Sequence, residues 1–66
     1  MREWLYEART NAKMTQADVA EKLCITESYY SLIENGERQK KMDVTLVAKL
    51  SDIFKIPADK IVQYEA

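Results

Sequence analysis

The sequence predicts an all-α fold, a compact bundle of five short helices, on three observations. Apolar residues recur at helical spacing, most clearly at Leu46, Val47, Leu50, Ile53 and Phe54. Residue types that cap helix N-termini (Thr15, Thr26 and Asp43) stand immediately before apolar runs. The 66 residues include one Gly and one Pro, which suits helices joined by short turns.

The first helix is expected over residues 2–12. Trp4, Leu5 and Ala8 share a face, with Ala12 one turn on. Glu3 and Glu7 lie near its positive end, which suits the macrodipole, and Met14 is expected to pack where the chain leaves it. Thr15 caps a second helix whose stripe is Val19, Ala20 and Leu23. The run from Thr15 to Asp18 puts Asp where a capping box prefers Glu or Gln, so the box reads as imperfect. That helix stops near Cys24. Thr26 caps a third, with Tyr30 and Ile33 inward, and Asn35-Gly36 ends it through a left-handed cap. A polar loop, residues 37–42, follows. Asp43 caps a fourth helix through about Lys55, and Pro57 suits the first turn of a short fifth.

Composition excludes several function classes. A chain this short is one domain, residues 1–66, that buries only about 60% of its unfolded surface. No stretch approaches the roughly 18 apolar residues of a membrane helix. There is no His, and Cys24 is the only Cys. An internal disulfide is therefore impossible, a zinc site lacks its ligands, and the usual general base is missing. No metal, cofactor or enzymatic activity is expected. No basic-plus-apolar leader opens the chain, so the cytoplasm is the expected compartment. The net charge is −1, not the basic balance typical of nucleic-acid binders, so any phosphate contact must come from local patches.

The informative stretch runs from Gln16 to Asn35. Two short helices meet through a tight turn, with Val19, Leu23, Ile25, Tyr30 and Ile33 as apolar points and Ala20 at the closest approach. Such spacing lets the helices cross steeply and share one core, and it frees the outer face of the second to enter a major groove. With Arg9, Thr15-Gln16, Val19-Ala20, Leu23, Ile25-Thr26, Ser28-Tyr29, Ser31 and Ile33-Glu34-Asn35-Gly36 in this order, the chain resembles the phage repressor and Cro type of helix-turn-helix, the XRE family, from Leu5 to Ile61. The resemblance implies a lambda repressor-like five-helix bundle that binds operator DNA as a homodimer and regulates transcription, as a repressor. Three departures stand out. Cys24 occupies the turn position where the family usually has Gly. The loop after Gly36 is about two residues longer and lacks its usual Pro. Glu27 and Glu37 stand where basic or amide residues are frequent.

The resemblance places Gln16 on a DNA phosphate and makes Arg9 and Glu34 a structural ion pair. Thr15, Thr26, Tyr29 and Asn35 join Gln16 as phosphate-contact candidates. Arg38, Lys40 and Lys41 form the one basic cluster and follow the recognition helix directly. Glu27, Ser28, Ser31 and Leu32 are the expected base readers: Glu27 accepts from a cytosine amino group, Ser28 serves either base type, and Leu32 meets a thymine methyl. Ile56, Ile61, Val62 and Tyr64 give the C-terminal segment more apolar surface than one small core needs, and a two-fold interface is expected there. The rival reading is the same fold used as a protein-interaction module, an antitoxin or anti-regulator, which the net acidity and Glu27 favour.

Overall fold

Most of the helices begin where a side chain can satisfy the first backbone N–H groups. In a computed structural model describing all 66 residues, the elements are α1 (Glu3–Asn11), α2 (Gln16–Leu23), α3 (Glu27–Asn35), α4 (Val44–Phe54) and α5 (Ala58–Glu65), with no strand. Thr15, Thr26 and Asp43 accept from the amides of Asp18, Tyr29 and Leu46, at 3.1, 3.1 and 2.7 Å. The capping box at α2 is complete despite its Asp, because the Thr15 amide donates to Asp18 Oδ2 at 2.8 Å. That bond holds the Asp18 carboxyl below its usual range. α1 begins differently. Arg2 precedes it with no side-chain cap, so the helix is shorter than the 2–12 expected. Pro57 likewise stands just before α5 rather than within it.

Left-handed backbone follows each of the first four helices, at Lys13, Cys24, Gly36 and Lys55. Only one of these is glycine, so three side chains carry the conformational cost. Cys24 adopts φ 59° and ψ 41°, the geometry expected of a turn where related sequences use Gly. Its side chain is exposed and contributes no core packing. Cys24→Gly should therefore stabilise the fold by about 0.5–1 kcal/mol. A urea midpoint that stays put or falls would show that Cys24 is not strained.

All five helices contribute to one core: Leu5; Val19, Ala20 and Leu23; Tyr30 and Ile33; Leu46 and Leu50; and Ile61. Met14 packs at its margin, as do Trp4, Ile25 and Tyr29. The C-terminal segment requires a correction. Ile61 is fully buried and Ile56 packs against the core, so Ile61 has no surface to offer a second copy. The helical repeat explains this, since one residue of a short amphipathic helix turns inward while its neighbours flank it. Val62 and Tyr64 remain exposed, and Tyr64 stacks on Trp4 with ring centroids 5.5 Å apart.

Candidate nucleic-acid interface

The outer face of α3 follows from helical spacing. Glu27, Ser28, Ser31 and Leu32 stand at i, i+1, i+4 and i+5, which is one side of a helix. With Gln16 they line one shallow, open depression. Glu27 and Ser28 are exposed, whereas Ser31 and Leu32 are half-buried, so Leu32 offers only part of its surface to a base. Side-chain hydrogen bonds in this stretch involve Asp18, Tyr29, Tyr30 and Gln16 and leave the Glu27, Ser28 and Ser31 side chains free. The opposite side of α3 carries Tyr30 and Ile33 into the core.

Beneath this face lies a hydrogen-bonded hub. Glu34 is 1% exposed and receives four donors. Arg9 Nε and Nη2 reach its two oxygens at 2.8 and 3.2 Å, Gln16 Nε2 at 3.0 Å and the Tyr30 hydroxyl at 2.9 Å. Arg9 also donates to the Met14 carbonyl at 3.0 Å. Burial alone pushes the Glu34 carboxyl up, but the bonds from Arg9, Gln16 and Tyr30 outweigh it and hold the group below its usual range. Burial and then the bond to Glu34 push the Tyr30 phenol well above the ordinary tyrosine value. The Arg9 guanidinium is raised by its bond to Glu34.

Gln16 thus spends one amide hydrogen on Glu34. Its second N–H and its oxygen are left to face the depression. Thr15 and Thr26 are exposed at the starts of α2 and α3. Each uses its oxygen as a cap and keeps its hydroxyl hydrogen to donate. Tyr29 is half-buried, and its hydroxyl accepts from Gln39 Nε2 at 3.3 Å. Asn35 is exposed at the end of α3.

The basic cluster lies apart from the depression. Arg38, Lys40 and Lys41 are exposed, and none takes part in the three ion pairs the protein forms. Lys40 and Lys41 border a second depression with Met42, Val47, Val62 and Glu65, so these two extend toward α5. The contacts that shape this end escaped the sequence reading, which placed Trp4 only on the apolar face of the first helix. Arg2 and Trp4 both donate to Glu65, more than 60 positions away, and Gln39 adopts a left-handed backbone inside the loop. Only long-range packing reveals the first three; no local signal marks them.

A helix-turn-helix family model matches residues 5–61, nearly the whole chain. The chain belongs to the XRE-type helix-turn-helix family. Comparisons with curated proteins and with solved structures return no match. In this helix-turn-helix protein the two helices of the motif are α2 and α3, and the turn is built on Cys24, Ile25 and Thr26. The family is one of DNA-binding regulators. No helix is long and apolar enough to cross a membrane, and no cluster of His, Cys, Asp and Glu has the makings of a metal site.

Proposed function

We propose that residues 1–66 form one helix-turn-helix domain that binds double-stranded DNA sequence-specifically and represses transcription in the cytoplasm, with α3 in the major groove. The observation that carries this reading is the depression shared by Gln16 and the outer face of α3. It gathers the Glu27, Ser28 and Ser31 side chains, which have no partner inside the protein, beside Gln16, which keeps one N–H and its oxygen free, on a helix narrow enough for a groove about 12 Å wide. Glu27, Ser28, Ser31 and Leu32 read base edges. Thr15, Gln16, Thr26, Tyr29, Asn35, Arg38, Lys40 and Lys41 contact phosphates. The protein acts as a homodimer joined near α5 through Val62 and Tyr64 with the exposed edge of Ile56, and its half-sites lie about 34 Å apart. No chemistry is performed on the DNA.

Selection of binding sites from random duplexes tests the whole reading. Recovery of a two-fold symmetric site is expected. Failure to enrich any sequence, together with a protein partner co-purifying, would favour the interaction-module reading, which net charge −1 and Glu27 on the groove face support.

The basic loop gives a separate expectation. Replacing Arg38, Lys40 or Lys41 by Ala should weaken binding to all sequences alike. It should also flatten the plot of log affinity against log salt by about one unit, because one fewer counterion is released. A parent slope retained in all three variants would remove the loop from the interface.

A further inference from the structure

Residues 37–42 contain neither Gly nor Pro, yet the loop is fixed at two points. The first is Arg2, whose side chain is 8% exposed. Its Nη1 donates to the Ile33 carbonyl and, at 3.1 Å, to the Arg38 carbonyl. Its Nη2 donates to the Gln39 carbonyl. Its Nε reaches both oxygens of Glu65, at 3.0 and 2.9 Å, and Trp4 Nε1 holds the same carboxylate at 2.7 Å. The second point is Gln39. Its amide donates to the Tyr29 hydroxyl on α3 at 3.3 Å and accepts from the Asp43 amide before α4 at 3.2 Å.

A buried guanidinium is costly unless its charge and donors are matched. Glu65 matches the charge. The carbonyls match the donors; that of Ile33 lies in the last turn of α3, where the helix dipole is negative and α3 has no basic residue of its own, and those of Arg38 and Gln39 lie in the loop that follows. The clamped backbone belongs to Arg38 and Gln39, inside the segment that carries the three unpaired cations. The clamp therefore fixes the chain and leaves the Arg38, Lys40 and Lys41 side chains free.

We propose that Arg2, with Glu65 as its counter-ion, is a positioning residue for DNA: it pre-orders the basic loop against phosphates and so makes affinity depend on the docking of α5, which does not itself face the groove. The proposal rests on the DNA reading above. It also accounts for a loop longer than the family's and lacking its proline, because a guanidinium fork does the stiffening instead. Without the clamp the loop must be ordered at the moment of binding, which lowers affinity by about tenfold.

The test is Arg2→Lys, which keeps the charge and loses the fork, measured well below the melting temperature. Affinity for random duplex should fall about tenfold, with base preference in the selected site unchanged. The paired change Lys40→Ala, Lys41→Ala should cost less in the Arg2→Lys background than in the parent. Full additivity, or unchanged affinity, overturns the proposal. If Arg2→Lys does not fold, Glu65→Gln takes its place, read by the same binding cycle and by amide hydrogen exchange of the free protein. Faster exchange confined to Arg38–Lys41 supports the clamp, and parent-like exchange there overturns it. A parent that binds no duplex at low salt overturns the DNA reading, and this proposal with it. A parent that binds, with additive variants, overturns the clamp alone.

Discussion

Arg9→Ala should destabilise the fold by about 3 kcal/mol, far beyond the ~1 kcal/mol ceiling of an exposed ion pair. The asymmetry of the pair is the reason. Glu34 is sealed, at 2% side-chain exposure, whereas Arg9 retains 13%. Removing Arg9 strips two of four donors from a carboxylate that water cannot reach. Gln16 and Tyr30 remain, but neither carries charge. A domain of this length has a total stability of about 3–10 kcal/mol, so the variant should lose between about a third and all of it. Glu34→Gln is expected to cost less, about 1–2 kcal/mol, because the partly exposed Arg9 can be rehydrated and the amide keeps one acceptor. A double-mutant cycle in urea checks this, and coupling near zero would return both residues to ordinary surface charges.

The same hub makes stability acid-sensitive. Glu34 titrates lower in the folded protein than its ordinary value of 4.5. A depressed carboxylate contributes stability that is fully present above the unfolded value and is lost as pH falls through the folded one. The urea midpoint should therefore drop below about pH 4.5 more steeply in the parent than in Glu34→Gln. Asp18 adds a contribution of the same sign.

Replacement of a base-reading residue should have the second-largest effect, about 1–3 kcal/mol at one position of each half-site. In a two-fold complex the loss counts twice, so a single substitution can remove a hundredfold or more of specific affinity, in order-of-magnitude terms. Glu27 gives the sharpest case. It is exposed in the first turn of α3, where the helix dipole favours a carboxylate, and that alone offers a structural reason for it. Near phosphates the same charge is repelled, and it helps binding only by accepting a hydrogen bond, which cytosine can donate. Glu27→Gln should accordingly raise affinity for random duplex several-fold while relaxing any cytosine preference. Ser28→Ala and Leu32→Ala should instead change preference with little effect on random duplex. If Glu27→Gln binds selected and random duplexes as the parent does, Glu27 faces solvent and α3 does not dock as proposed.

Five helices, their caps at Thr15, Thr26 and Asp43, the left-handed turns at Cys24 and Gly36, and the shared face of Glu27, Ser28, Ser31 and Leu32 are all legible in the order of residues. These are short-range properties. Capping acts within three residues and helical periodicity within four or five, so the signal lies in adjacent letters. Tertiary structure alone decided that Ile61 points inward, that Gln16 is tethered to Glu34, and that Arg2, Trp4 and Glu65 meet. Whether an apolar residue on a short amphipathic helix becomes core or flank depends on which helix lies opposite, and α5 has apolar residues on more than one side. The Arg2–Glu65 bond joins residues 63 positions apart. It exists only because packing brings the start of α1, the end of α3 and the end of α5 to one place, where buried backbone carbonyls require a donor and a buried cation requires a counter-charge.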